Sequence, residues 1–218
     1  MKIISLCNNN AKTGKTTIAF NIAIKFSAKG LKVLAIDTDP KFDLANSFGI
    51  KDIQTVEDYE LLDKNTKIET VAVNDNLEVI AIDTGRRGYG RYKALKDYLV
   101  KLKDKYDVII IDTAPTFHEY LPSVVFASDV YVVAKDDWRG VLGIKSVIDM
   151  ARDLNKKISG IILNMKEKVA KPRFGDFEKL LDEYQLKTTI KKEGENEKDY
   201  NDLAEEIIRK EGLKWKKS

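Results

Sequence analysis

Residues 1–20, MKIISLCNNNAKTGKTTIAF, decide how the rest of this sequence is interpreted. They open on a short apolar run that suits a buried strand, pass through a polar turn at residues 8–13, and reach Gly14-Lys15-Thr16-Thr17. A helix follows, because apolar side chains then recur four residues apart, at Ile18, Ile22 and Phe26. A strand, a turn of phosphate-binding length, Gly-Lys-Thr and a helix together predict a P-loop.

The predicted P-loop would bind a polyphosphate. Backbone N–H groups and the positive end of the helix dipole converge on such a ligand. Lys15 adds positive charge toward the β- and γ-phosphate oxygens, and the Thr16 hydroxyl is placed to bind Mg²⁺. The pattern G-x-x-x-x-G-K-T is only half present, since Asn9 stands where its first glycine belongs. Asn tolerates the left-handed backbone that glycine would supply, but the motif alone also fits a purely structural turn.

The composition favours a globular protein of mixed charge. The 218 residues carry 38 Lys and Arg against 35 Asp and Glu, a formal net charge of +3, so any nucleic-acid-binding surface must be local. The single cysteine, Cys7, cannot form an internal disulfide and is interpreted as a small buried residue. The sequence contains neither a signal peptide pattern nor an apolar stretch of bilayer length. We therefore expect one cytoplasmic domain over residues 1–218.

Acidic residues follow two strongly apolar strands. The strand at residues 32–36 leads into Asp37 and Asp39, and the strand at residues 106–111 leads into Asp112. Ligands of doubly wound sheets bind at the carboxyl ends of the strands, so these acids are expected near the phosphates and the metal. An apolar strand that ends in an acid is the form of a Walker B strand, and Pro115 would stiffen the turn that senses the γ-phosphate. The alternative for Asp37 and Asp39 is an ordinary acidic turn.

Alternating strand and helix patterns continue along the whole chain. They predict the α/β class: a twisted, mostly parallel sheet with helices on both faces. Residues 41–47 are expected to form a switch-like loop, residues 56–62 a short helix and residues 188–190 a short last strand. A closing helix is expected at residues 199–210 and stops near Gly212. The only histidine, His118, has no Cys or His neighbours in sequence and is interpreted as a surface or packing residue.

Four further stretches occur in a characteristic order: VLAIDTDPKFDLANSFG at residues 33–49, YDVIIIDTAPT at 106–116, ASDVYVVAKDDWRGVLGI at 127–144 and GIILNMK at 160–166. With the P-loop, this ordered set resembles the deviant-Walker P-loop ATPases of the ParA/MinD group, over nearly the whole chain. The resemblance is closest to the small ParA proteins that partition plasmids or chromosomes and that start directly on the P-loop strand.

The resemblance implies ATP and Mg²⁺ as cofactors and assigns roles by position. Lys15 would bind the phosphates, Thr17 the α-phosphate and Thr16 the Mg²⁺ ion. Asp39 would belong to the metal site and would position or activate the attacking water, and Asp112 would hold the metal through a water molecule.

The resemblance also extends the nucleotide site to later parts of the chain. Asn164 would contact adenine, and the loop at residues 190–195 would wrap the base. The nucleotide-binding residues that it implies are Asn10, Ala11, Lys12, Thr13, Gly14, Lys15, Thr16, Thr17, Asn164 and Lys191.

One position departs from the family pattern K-G-G-x-G-K-T. The signature lysine, which reaches the partner's phosphates across the dimer, falls at Asn10, and the two glycines become Ala11 and Lys12. Asn is neutral and too short for that contact. Lys12 is the candidate replacement and joins Lys15 and Asp39 as a catalytic residue. We therefore expect hydrolysis that is slow or that depends on a partner.

The resemblance implies an ATP-closed homodimer that binds DNA non-specifically, opens on hydrolysis, associates with the nucleoid and works with a small ParB-like adaptor protein. Three alternatives stay open. The candidate DNA-binding residues can instead be a solvated surface, the basic and apolar C-terminal tail can be a MinD-like membrane anchor, and the chain can be a nucleotide-binding regulator with little hydrolysis. The favoured DNA-binding candidates are Lys166, Lys168, Lys171 and Arg173; the less favoured ones are Arg86, Arg87 and Arg91.

Overall fold

The computed structural model describes residues 1–51, 53, 55–57, 69–83, 91–135, 137–165, 175–191 and 197–214. Within these residues one sheet of eight strands carries the fold. The strands are β1 (Lys2–Cys7), β2 (Val33–Asp37), β3 (Thr55–Glu57), β4 (Val71–Asn74), β5 (Leu77–Asp83), β6 (Val108–Asp112), β7 (Asp129–Lys135) and β8 (Ile158–Asn164). The helices are α1 (Lys15–Ala28), α2 (Asp43–Ser47), α3 (Arg91–Lys101), α4 (Phe117–Phe126), α5 (Trp138–Asp153), α6 (Gly175–Tyr184) and α7 (Glu197–Lys210).

The order of the strands places the end of β1 at the point where ligands bind in α/β sheets. The order is β3-β5-β2-β6-β1-β7-β8, and every pair is parallel except β4 with β5. From β1 the chain crosses to β2 on one side, and later it reaches β7 and β8 on the other. The carboxyl end of β1 is therefore a topological switch point. The predicted mostly parallel sheet is confirmed.

Helices pack on both faces of the sheet because its strands are apolar on both sides. In β6, Ile110 packs in the cluster that contains the buried side chains of α1 and α7, whereas Ile109 and Ile111 pack in the cluster of α3. Alternate residues of a strand point to opposite faces, so these clusters lie on opposite sides. Cys7 at the end of β1 is fully buried, and burial raises the pKa of its thiol to about 11. The interpretation of Cys7 as a buried structural residue is confirmed.

The closing helix α7 is part of the core. Its side chains Leu203, Ala204, Ile207 and Ile208 are fully buried in the cluster that also contains Phe26 of α1. None of the helices within the described ranges has both the length and the apolar character needed to cross a bilayer.

Three local predictions were wrong where the described residues test them. Residues 41–47, expected as a loop, contain α2, because the carboxylate of Asp37 accepts hydrogen bonds from the first N–H groups of this helix. Residues 56 and 57, expected in a helix, belong to β3 and pair with β5; the rest of that predicted helix lies outside the described residues. Residues 188–190 form no strand, although backbone hydrogen bonds from Leu186 and Ile190 hold the segment beside β8.

Candidate functional site

The loop between β1 and α1 has the geometry of an anion cradle. Gly14 caps α1 in a left-handed conformation, with φ at 91°, and as a glycine it offers no side-chain acceptor to the N–H groups of the first turn. No acidic residue lies in that turn, so the positive end of the helix dipole is unopposed there. A Cβ atom at Gly14 would lie 2.1 Å from the amide nitrogen of Asn164. The glycine is therefore required both by its backbone and by the close approach of Asn164.

Lys15 lies at the floor of this cradle. Only 6% of the residue is exposed, and its ammonium group donates a hydrogen bond to the backbone carbonyl of Asn10 at 3.4 Å. Burial lowers the pKa of Lys15, and the nearby carboxylates of Asp112 and Asp39 oppose that shift. Since its one hydrogen bond to a described residue is long and goes to a neutral carbonyl, the buried ammonium has donors left for an anion.

Asp112 is the acid that the sequence predicts behind the phosphate loop. It ends β6, directly across from Asp37 at the end of β2. It is completely buried, and neither of its carboxylate oxygens has a hydrogen-bond partner among the described residues. Burial, followed by the charge of Asp37, raises the pKa of Asp112 to about 7, while the nearby Thr16 hydroxyl and Lys15 oppose the rise.

These residues fit a Mg²⁺ ion. An unpartnered buried carboxylate is costly, and a metal-bound water is a donor that would satisfy it. In the described part of the chain no three Asp, Glu, His or Cys side chains converge into a metal cage. That arrangement suits Mg²⁺, which keeps several waters and binds through few protein groups and the phosphates of its substrate. Thr16 would be its direct protein ligand, with Asp112 behind.

The two acids after β2 have different roles. Asp37 is buried and accepts hydrogen bonds from the backbone N–H groups of Asp39, Leu44 and Ala45, so it holds the turn and the start of α2. Burial raises the pKa of Asp37 to about 6, and these hydrogen bonds limit the rise. Asp39 is half-buried, accepts a hydrogen bond from the backbone of Lys41 at 3.0 Å, and faces the cavity above the P-loop. Only Asp39 of the pair is therefore placed to act on a ligand.

A cavity of about 740 Å³ lies over the P-loop and has the size of a small-molecule site. Most of the predicted phosphate-binding residues line it together. Its walls come from the P-loop, the turn after β2, the turn after β6 and the ends of β7 and β8: Ala11, Lys12, Thr13, Gly14, Lys15, Thr16, Thr17, Asp39, Pro40, Lys41, Asp43, Thr113, Ala114, Pro115, Lys135 and Met165.

Three predicted nucleotide-binding residues do not line this cavity. The amide of Asn10 turns away and donates to the carbonyl of Arg139 at 2.6 Å. Asn164 is buried; its amide donates to the carbonyl of Thr13 at 2.8 Å, and its oxygen accepts from the backbone of Met165. Lys191 lies beside Asp199, to which its backbone N–H donates at 3.4 Å. In this structure Asn10 and Asn164 position the P-loop, and the contact of Asn164 with adenine stays a prediction.

Among the lysines that line the cavity, two were not predicted from the sequence to bind a ligand. Lys41 and Lys135 each follow or end a buried strand at the ligand-binding edge of the sheet. The signal for Lys135 is its place at the carboxyl end of a wholly apolar strand, the same signal that points to Asp112. A lysine there resembles any surface lysine until the strand is placed beside the P-loop.

Several predicted residues lie outside what the structure describes. These are the favoured DNA-binding candidates Lys166, Lys168, Lys171 and Arg173, and also Arg86 and Arg87. Arg91 begins α3 and His118 lies in α4, but their side chains are outside the described set.

Comparisons with known proteins agree with this geometry. A family model described as an AAA domain matches residues 1–165. An uncharacterized protein of Methanocaldococcus jannaschii is 30% identical over 198 residues, which are 78% of this chain and 76% of that protein. The chromosome partitioning protein ParA of Caulobacter vibrioides is 27% identical over 209 residues, or 81% of this chain and 78% of its own. The crystal structure of a plasmid partition protein from Borrelia burgdorferi superposes with a TM-score of 0.75 at 27% identity and covers 96% of this chain and 99% of that chain.

Proposed function

We propose a function that starts from the family of this chain. The chain belongs to the family described as an AAA domain, whose model matches residues 1–165, and it is a ParA/MinD-type deviant Walker ATPase. The proposed function is that of an ATP-dependent dimer switch in plasmid or chromosome partition, which binds DNA non-specifically and is reset by hydrolysis. One observation carries the ATPase part: the buried carboxylate of Asp112, which has no hydrogen-bond partner in the described part of the chain, lies behind the P-loop residues Gly14, Lys15 and Thr16.

The chain's own residues define how the triphosphate would be held. The free N–H groups at the start of α1 and the buried ammonium of Lys15 bind the phosphate oxygens. The Thr17 hydroxyl, at the exposed end of the cavity, binds the α-phosphate. When bound, Mg²⁺ neutralises developing charge on the phosphates. Thr16 would be its protein ligand, and Asp112 would help to hold it from behind the P-loop.

Asp39 is the residue proposed to orient the attacking water. It faces the cavity from the turn after β2, and its backbone is anchored to the buried Asp37 by a hydrogen bond of 3.1 Å. That anchor limits where the Asp39 carboxylate points. Orientation of the nucleophile is a large part of catalysis of phosphoryl transfer, because the protein does little covalent chemistry.

Hydrolysis is expected to be slow or stimulated by a partner. Position 10 carries no positive charge, and the Asn10 side chain is hydrogen-bonded to the first turn of α5. Lys12 has a left-handed backbone, with φ at 59°, and its side chain lines the cavity. It therefore occupies a glycine-like backbone position of the P-loop and supplies a cation of its own.

DNA is favoured over a membrane as the partner. Two of the similar proteins are a chromosome partitioning protein and a plasmid partition protein. The apolar face of α7, which a membrane anchor would need, is buried against the core, and Leu213 packs on the same cluster. The proposed DNA contacts are Lys166, Lys168, Lys171 and Arg173, and a small ParB-like adaptor would stimulate hydrolysis on the nucleoid. The same evidence leaves a poorly hydrolysing regulator as the second candidate, because Asn10 is neutral.

DNA binding as a function of nucleotide state tests the proposal. Binding of the purified chain to a non-specific duplex is measured by fluorescence anisotropy with ATP, with ADP and without nucleotide, beside the Lys15→Ala variant. We expect binding with ATP only, its loss in Lys15→Ala, and a steep decrease with salt concentration, since phosphate contacts release counterions. ATP turnover measured in parallel separates a switch from a regulator. Equal DNA binding in all three states would contradict the switch, and liposome binding without DNA binding would favour the membrane alternative.

A further inference from the structure

Asn10 connects the P-loop to α5 through hydrogen bonds. The backbone N–H of Asn10 donates to the side chain of Asn8 at 2.7 Å, and the side-chain amide of Asn10 donates to the carbonyl of Arg139 at 2.6 Å. Asn8 is itself buried and donates to the carbonyl of Val133 in β7 at 2.9 Å. A neutral group with these partners contributes no positive charge to the phosphates, so the charge must come from another residue.

Lys135 lies where such a charge is needed. It ends β7, and its backbone pairs with Asn164 of β8, whose side chain holds the carbonyl of Thr13 in the P-loop. It lines the cavity of about 740 Å³ together with Lys12 and Lys15. It also lines an adjoining cavity of about 300 Å³, together with Asn10 and Arg139. Lys135 therefore stands between the P-loop and the start of α5.

The base of Lys135 is held firmly. The first turn of α5 packs directly on its backbone: a Cβ atom at Gly140 would lie 2.1 Å from the carbonyl oxygen of Lys135. Asp137 caps the same turn by accepting a hydrogen bond from the N–H of Gly140 at 2.8 Å. A side chain on such a base loses less entropy when it binds a ligand than one on a free loop.

The charge of Lys135 is not neutralised within the described part of the chain. The residue is half-buried, and its ammonium group makes no hydrogen bond or ion pair with any described residue. Asp137, the acid that lines the smaller cavity, is engaged as the cap of α5. A half-buried, unpaired ammonium that faces a cavity beside a phosphate loop is suited to a polyanion.

We propose that Lys135 binds the phosphate chain of the nucleotide held in the same protomer and supplies the positive charge that Asn10 lacks. The proposal rests on the ATP site of the proposed function and adds a second lysine to it, from β7 rather than from the P-loop. The ligand class is a nucleoside di- or triphosphate, because the cations Lys12, Lys15 and Lys135 line one cavity.

The test compares nucleotides that differ only in their phosphates. Dissociation constants for ATP, ADP and AMP are measured by isothermal titration calorimetry with Mg²⁺, for the wild type and for Lys135→Gln, Lys135→Arg and Lys145→Gln. Lys145 is an exposed lysine on α5 and serves as the matched control. A hydrogen bond to a charged group stabilises by about 1.5–3 kcal/mol. Lys135→Gln should therefore lose roughly 10- to 100-fold in ATP affinity, while its AMP affinity changes by less than about twofold. Lys135→Arg should retain most of the ATP affinity. Lys145→Gln should match the wild type.

Other outcomes would overturn the proposal. ATP affinity in Lys135→Gln equal to that of the wild type excludes the contact. An equal loss for ATP and AMP, or an equal loss in Lys145→Gln, indicates structural damage or general charge rather than a phosphate contact. Thermal unfolding of each variant shows whether it is folded. Lys15→Ala separates this inference from the proposed function: if the wild type binds ATP and Lys15→Ala does not, the ATP site stands whatever Lys135 does, whereas a wild type that binds no ATP refutes both.

Discussion

Replacing Asp112 with Asn should stabilise the nucleotide-free protein at alkaline pH while it removes a residue of the proposed ATP site. The carboxylate is fully buried without a hydrogen-bond partner among the described residues, and burial raises its pKa from an ordinary 3.8 to about 7. A neutral amide of nearly the same shape has no charge to bury. The substitution therefore separates the contribution of Asp112 to stability from its contribution to function, as is common at strained active sites.

The size and sign of the effect follow from proton linkage. The folded protein binds the Asp112 proton more tightly than the unfolded chain does, so the free energy of unfolding falls as the pH rises from about 4 to about 7. Each pKa unit corresponds to about 1.4 kcal/mol. Between about pH 5 and about pH 8.5 the wild type should lose roughly 3 kcal/mol through this residue. Asp112→Asn does not titrate and avoids that loss.

Urea unfolding at the two pH values, without nucleotide and with EDTA, measures the difference. Asp112→Asn should be more stable than the wild type by about 1.5 kcal/mol near pH 5, where the unfolded chain has already lost the proton, and by about 4.5 kcal/mol near pH 8.5. The growth of this difference, roughly 3 kcal/mol, is a large part of a typical stability of about 5–15 kcal/mol. Asp37→Asn is the matched control. Asp37 lies on the adjacent strand in register with Asp112 but accepts three backbone hydrogen bonds. An amide keeps only one acceptor oxygen, so Asn at position 37 loses hydrogen bonds at a cost of about 1–3 kcal/mol. Burial raises the pKa of Asp37 only to about 6, so Asp37→Asn should gain less stability than Asp112→Asn at both pH values.

Two results would refute this reasoning. The first is a stability difference between Asp112→Asn and the wild type that is the same at both pH values, because the buried charge would then not be the cause. The second is an Asp112→Asn variant that is less stable than the wild type near pH 8.5. With Mg²⁺ and ATP added, the Asp112→Asn variant should also lose ATP hydrolysis. A rate of hydrolysis equal to that of the wild type would exclude Asp112 from the metal site.

Three further predictions concern the P-loop and the core. Gly14→Ala should lower the melting temperature and abolish ATP binding, since φ is 91° and the new Cβ would lie 2.1 Å from the amide of Asn164; wild-type melting and affinity would contradict it. Lys12→Gly should raise the free energy of unfolding by about 1 kcal/mol, because the left-handed backbone at φ 59° costs less for glycine than for lysine. The same variant should bind ATP more weakly. A Lys12→Gly variant that is less stable than Lys12→Ala would contradict the argument from the backbone. Ile207→Ala, at a fully buried position of α7, should lower the free energy of unfolding measured with urea by about 2–5 kcal/mol. The control Val100→Ala, at a position that is 64% exposed, should change it by less than about 0.5 kcal/mol. Equal losses of stability in the two variants would mean that α7 is not part of the core.

Most of the sheet could be predicted from local patterns because its strands are buried on both faces. A run such as residues 108–111 is apolar at every position, so its strand needs no tertiary information to be recognised. The predictions failed at short segments whose structure depends on contacts with residues outside the segment. Helix α2 forms because Asp37 accepts its first N–H groups, and residues 55–57 are a strand because β5 lies beside them. The partner strand β5 is far from residues 55–57 in sequence, and the local pattern around Asp37 does not show that its carboxylate accepts from Leu44 and Ala45.

By itself the sequence determined the α/β class, the P-loop with Lys15 and Thr16, and the acid Asp112 at the end of an apolar strand, because each of these depends on residues close together in the chain. The tertiary structure decided which of two neighbouring acids faces the ligand: Asp37 is used by α2, and Asp39 lines the cavity. It also decided that Asn10 and Asn164 fasten the P-loop, and that Lys135 lies beside it. The roles of Asn10 and Asn164 depend on contacts across more than a hundred residues of sequence, and only the packing of β7, β8 and α5 around the P-loop brings these side chains to their partners.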